Sequence, residues 1–309
     1  MSLSLQPGEH LADGVRRIFQ SELAAALAEL QPEERKIDAR VHSMRKRMKR
    51  LRALLRMVRA SIGEQTYRSC NAAFRDAARQ LAGAREAAVR VKGLAALCDD
   101  GQVALPPGFE QALRERLSHS RRSQVSAALA DRVVLAHALL EAASERVSSL
   151  HLPHRGFGLV RRDFERSYAR ARRGRAHSLR SLSTEAFHEW RKWVKYHLHQ
   201  VELLAVTWTD ELELRTSALK ELADLLGDEH DLADLRAALL SEPLGELPPG
   251  PTAELLGLLD RRRQTLREEA LRLGARLFAE KPRAFSGRVE RYYDSWREEQ
   301  SEHPTGGDE

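Results

Sequence analysis

Val41-His42-Ser43-Met44-Arg45-Lys46-Arg47-Met48-Lys49-Arg50-Leu51-Arg52-Ala53-Leu54-Leu55-Arg56-Met57-Val58 is the stretch on which the fold turns. Wound at about 100° per residue, Val41, Met44, Met48, Leu51, Leu55 and Val58 fall on the 3-4 spacing of a buried helical seam. His42, Arg45, Lys49, Arg52 and Arg56 keep the same spacing one residue out of phase, within an arc of about 80° centred roughly 100° from the seam. The cations therefore border the core instead of opposing it. Between Arg40 and Arg59 stand nine Arg or Lys and no acid. Cationic stems often just cover apolar surface and stay solvated. A solvated face, however, normally mixes signs to gain i,i+4 pairs, and stacked like charges cost stability unless something offsets them. A bound polyanion would.

The pattern returns 146 residues later. Phe187-His188-Glu189-Trp190-Arg191-Lys192-Trp193-Val194-Lys195 matches Val41 to Lys49 as apolar-His-x-x-Arg-Lys-x-apolar-Lys. Here Phe187, Trp190, Val194, Val201 and Ala205 form the seam, and His188, Arg191, Lys195, His199 and Glu202 the adjacent strip. Two further pieces keep almost the same register. Arg16-Arg17-Ile18-Phe19 aligns with Arg161-Arg162-Asp163-Phe164, and Leu81-Ala82-Gly83-Ala84-Arg85-Glu86 with Leu226-Gly227-Asp228-Glu229-His230-Asp231. The reading is a tandem duplication of a four-helix unit joined near residues 151–157, followed by a C-terminal helix.

The remaining sequence agrees with an all-α chain. Leu, Ala, Arg and Glu dominate its 309 residues, and these are strong helix formers, whereas the residues that favour strands are sparse. Pro and Gly punctuation predicts helices over 10–30, 33–61, 66–98, 109–149, 158–173, 184–207, 210–241, 251–280 and 283–299. Ser183 or Thr184 reads as an N-cap. Residues 301–309 read as a disordered tail. Cys70 and Cys98 on one continuous helix would lie about 42 Å apart, beyond pairing, and read as reduced core residues. No basic-then-apolar leader and no run of about 18 apolar residues is visible, which points to a cytoplasmic protein. Net charge is +6, and a second cluster between Arg161 and Arg180 sets eight Arg against Asp163 and Glu165. An acidic partner is the expectation.

These residues resemble the CHAD domain, the conserved-histidine α-helical domain, over roughly residues 5–300. The family's first motif is met by His42, Arg45, Lys49 and Arg52. Its second is met by His188, Arg191, Lys195 and Glu202, with Leu198 in place of an Arg and His199 in place of a Tyr. The resemblance implies a single domain of two halves, 5–150 and 151–300, built as tandem four-helix bundles about a pseudo-two-fold axis with a basic central groove. It also implies binding of inorganic polyphosphate, in some members at polyphosphate granules. No room precedes the motifs for the triphosphate-tunnel domain some members carry, so a stand-alone member is expected.

The expected ligand set is His42, Arg45, Lys46, Lys49, Arg52, Arg56, Arg85, Tyr168, Arg172, His188, Arg191, Lys192, Lys195 and His199. The preference for Arg suits phosphate, which its planar fork can engage bidentately, and the histidines would add protonated donors beside an anion. Neither a cofactor nor a metal is expected, and the chain reads as a non-enzyme. Nucleic acid is the second reading, although the 40–59 stripe lacks aromatics for base stacking. A metal-dependent phosphohydrolase built on His230-Asp231 is the third. No HExxH motif, phosphate-cradling Gly loop or nucleophile elbow supports chemistry.

Overall fold

The computed structural model describes residues 4–31, 37–81, 93–94, 106, 108–115, 129–153, 156–241 and 248–302. The principal helices are α1 (Leu11–Ala28), α2 (Ile37–Met57), α3 (Arg59–Ile62), α4 (Glu64–Gln80) and α5 (Leu129–Ser148). There follow α6 (Arg161–Ser181), α7 (Thr184–Leu204), α8 (Thr209–Ser241), α9 (Pro249–Leu277) and α10 (Pro282–Glu302). Among the described residues there is no strand.

Local chemistry explains the boundaries. Ser183 caps α7 by accepting from the Ala186 amide at 3.2 Å, with Glu185 in the first turn. Leu182, just before it, ends α6 in the left-handed region at φ 52°. Pro249 occupies the first position of α9, where its missing N–H costs nothing. The expected helix 33–61 is broken: α2 stops at Met57, Val58 leaves helical geometry, and α3 ends on Gly63 at φ 82°. At the break the carboxylate of Asp163 accepts from the Ala60 amide at 2.5 Å, satisfying an N–H that the new helix start leaves orphaned. The expected helix 66–98 is also shorter, since α4 ends at Gln80. The 42 Å argument for the cysteines therefore falls; Cys70 is a buried free thiol, and Cys98 lies outside the described residues. At the other end α10 continues through Glu302, into the expected tail, whose remaining residues 303–309 lie outside the described ones.

Packing follows two closed rings. α1 packs on α2, α2 on α4, α4 on α5, and α5 back on α1. In the same order α6 packs on α7, α7 on α8, α8 on α9, and α9 back on α6, with α10 laid against α6. Among the helices named here the rings meet chiefly where α2 packs on α7, the two helices that carry the repeated motif. The larger of two apolar cores among the described residues runs through both, from Leu11 and Phe19 through Met44, Met48 and Leu55 to Phe164, Trp190, Val194 and Phe285, and a smaller one sets Leu94, Phe109 and Leu113 against α8 and α9. Every residue of the first predicted seam is at most 3% exposed. Aliphatic burial of this kind contributes roughly 1.5–3 kcal/mol per large side chain before the ordering entropy is counted.

Trp190 fixes the placement of α7. It is fully buried, and a Cβ added at Gly274 of α9 would lie 2.6 Å from its ring, while one at Gly174 of α6 would lie 2.9 Å away. The two glycines make the slot that the indole fills. A second lock is Glu229 of α8, 1% exposed. One of its oxygens accepts from Arg263 Nη2 at 2.9 Å and Arg267 Nε at 2.8 Å, both on α9. Those arginines also reach the entry to α7: Arg267 Nη1 donates to the Leu182 carbonyl at 2.8 Å and Arg263 Nη2 to Thr184 Oγ1 at 2.7 Å.

Candidate anion-binding groove

With α2 and α7 side by side, their off-core strips face one another. A hollow of about 400 Å³ is lined by Arg45, Lys49, Arg52 and Arg56 from α2, and by His188, Arg191, Lys192, Lys195 and His199 from α7. Glu189, Trp193, Tyr196 and His230 complete its wall. A second hollow of about 500 Å³ continues from it, sharing Lys49, Arg191, Lys195 and His199 and adding His42, Lys46, Arg50 and Lys220. Its wall also holds Leu198, Glu202, Ala223 and Asp224. Among the described residues, the first hollow sets seven Arg or Lys against one carboxylate, the second six against two. Both predicted strips thus line one groove.

The side chains are held from below. Arg45 Nη1 reaches the Ala78 carbonyl at 3.3 Å, and Arg52 Nε donates to Asn71 Oδ1 at 3.0 Å, both on α4. Arg56 lies over three rings, 4.3 Å from the centre of Tyr196, 5.2 Å from Trp193 and 5.6 Å from Tyr67. Such cation–π contacts hold a guanidinium in place without neutralising it. Arg191 passes over Gly227, where an added Cβ would stand 3.4 Å from its Nη2. That gives the Leu226-Gly227 element a use: the glycine leaves room for the cation next to it. Lys192 pairs with Glu189.

The long acid-free run on α2 is offset in part from within. Arg47 and Arg50 each place Nη1 3.3 Å from Glu22 Oε1 on α1, a carboxylate 3% exposed. Arg40 closes the end of α1 by donating to the Glu29 carbonyl at 2.8 Å.

Tyr168 and Arg172 do not line the groove. Tyr168 is fully buried, stacked on Phe285 with ring centres 4.7 Å apart, and its hydroxyl donates to the Glu280 carbonyl at 3.1 Å. Arg172 Nε donates to the Phe278 carbonyl at 3.1 Å. Both tie α6 to the α9–α10 turn. Their apolar and basic neighbours in sequence gave no sign of which face they occupy. Arg85 lies outside the described residues.

The histidines divide by environment. His188 and His230 meet across the groove wall, Nδ1 to Nδ1 at 3.4 Å, and His230 Nε2 lies 3.5 Å from Asp234. Burial, followed by the fields of His230, Lys192 and Arg191, holds the His188 pKa below its ordinary value. The expected protonated donor at His188 is therefore opposed before any anion arrives. His199 Nδ1 lies 2.7 Å from Glu202 Oε2. His230, read from sequence as half of an HD pair, is a groove residue instead. Trp193 and Tyr196 stand near the second strip in sequence and line the groove beside it, while Arg50 and Lys220 were missed; Arg50 sits beside predicted strip residues, whereas Lys220 comes from α8 and had no motif to mark it. Among the described residues no group of three or more His, Cys, Asp or Glu is arranged to hold a metal ion.

Fold and groove together define a helical protein in which, among the described residues, two rings of four helices meet along a cation-lined cleft. Within that class the chain belongs to the CHAD domain family, whose pattern matches residues 18–240 and so includes every groove residue named above. No curated protein matches the chain. No described helix is long and apolar enough to cross a membrane.

Proposed function

We propose that this chain binds inorganic polyphosphate non-covalently in the α2–α7 groove, and that it is a binding protein without catalytic activity of its own. The observation that carries the proposal is the convergence of both repeated strips on one continuous hollow, joined at Lys49, Arg191, Lys195 and His199. Membership of the CHAD family supports it. A linear phosphate chain laid along the groove would release its condensed counterions as Lys and Arg replace them, so affinity should fall steeply with salt. Guanidinium groups preset by Asn71 and by the aromatic rings lose little freedom on binding, which favours a firm hold. Association with polyphosphate granules in the cytoplasm would follow from the same contacts.

Nucleic acid is the competing occupant, because Trp193 and Tyr196 do line the groove. Arg56 lies over both rings, however, and takes a face that a base would need for stacking. Replacing Arg45, Lys49, Arg191 and Lys195 together with Ala should abolish retention on immobilised polyphosphate and leave far-UV helicity unchanged. Retention equal to wild type would remove the groove from consideration, and RNA or DNA outcompeting polyphosphate at fixed salt would favour the nucleic-acid reading.

A further inference from the structure

The arginine cluster on α6 is not used by the groove. Arg162, Arg166, Arg170, Arg173, His177 and Arg180 are all exposed, and their spacing places them within an arc of about 80° on one face of the helix. Neighbours along this row stand about 5–6 Å apart, and the row is about 27 Å long. Three carboxylates among the described residues stand on α6 or pair with it. Asp163 is buried with its oxygen on the Ala60 amide, Glu290 of α10 pairs with Arg161, and Glu165 sits at the margin of the row. The row joins the groove at a definite place. Arg170 lies 5.5 Å from the centre of the Trp193 ring, and the same ring carries Arg56 at 5.2 Å and forms part of the groove wall.

We propose that the exposed face of α6 is a second, outer track for the same phosphate polyanion. A chain longer than the groove would leave it past Arg56 and Trp193, meet the row at Arg170, and run from there along Arg166 and Arg162 or along Arg173 and His177. This rests on the reading that the groove takes polyphosphate, and it adds that the protein prefers long chains. Exposed arginines on a continuous helix suit the repeating charge of a linear phosphate polymer and offer no aromatic surface of their own for bases.

The test compares wild type with a variant carrying R162Q, R166Q, R170Q and R173Q, using tripolyphosphate and long-chain polyphosphate at fixed salt. All four side chains are exposed, so helicity should not change. The expected result is tripolyphosphate affinity within about twofold of wild type, a loss of about tenfold for the long chain, and a shallower dependence of long-chain affinity on salt. Equal long-chain affinity in the two proteins would overturn the outer track and leave the groove standing, as would an equal loss for both probes. A variant that lost RNA binding and kept polyphosphate would reassign the face to nucleic acid. Wild type binding neither phosphate probe would instead sink the groove reading and the outer track with it.

Discussion

His197 shows how far a residue's role can depend on burial that its neighbours in sequence do not reveal. It sits two residues beyond Lys195 yet is completely buried, with Nδ1 3.1 Å from Ser167 Oγ and its ring among Phe164, Tyr168, Phe278 and Phe285. Burial, helped by the nearby charge of Arg215, pushes its pKa well below the ordinary 6.5. In the unfolded chain it binds a proton below about pH 6.5, and in the folded protein it does not, so the unfolded state holds more protons in that window. Stability is accordingly complete above that pH and declines as the pH falls through it, by up to about 1.4 kcal/mol per pH unit for one proton. His188, shifted the same way, adds to the decline. Urea midpoints measured between neutral and mildly acid pH should show this slope, and His197→Gln should flatten it. An unaltered slope in the variant would show that His197 is not the buried neutral group described here. The groove residues were easier to read. Arg45, Lys49, Arg191 and Lys195 were marked by an amphipathic phase that repeats, whereas Tyr168 and Arg172 were marked only by resemblance and turned inward to the α9–α10 turn.

At the scale of the helix, sequence gave type and seam but not length. The 3-4 spacing placed α2 and α7 and their buried faces, because periodicity is a property of the helix itself. The break at Val58 has no proline; it is held by Asp163, more than a hundred residues away, through a contact no local pattern contains. Trp190 is a similar case. Its position on the seam announced a core residue, but its slot is made by Gly174 and Gly274, which stand on two other helices. Gly274→Ala should be costly despite the gain in helix propensity, since its methyl would meet the indole at 2.6 Å, tighter than real contacts allow. Overpacking of this sort costs about 1–3 kcal/mol, whereas an Ala substitution at an open helical glycine stabilises by about 0.4–1. Chemical denaturation separates the two signs. A stabilised G274A protein would mean that Trp190 does not hold α7 against α9.

For the molecule as a whole, the repeat foretold that two like helices carry two like strips, and the packing shows them meeting α2 to α7. It could not show that the meeting leaves a hollow, nor that His230 and Lys220 of α8 would complete it, because those depend on how the second ring closes. Charge is distributed to match. Glu22 of α1 draws in Arg47 and Arg50 of α2, Arg50 also bordering the second hollow, while Arg45, Lys49, Arg52 and Arg56 line the first.

A crystal structure grown with tripolyphosphate bears on this most directly. The account predicts phosphate density between α2 and α7, against Lys49, Arg191 and Lys195 where the two hollows join. Density elsewhere on the protein, with that junction holding only solvent, would contradict it.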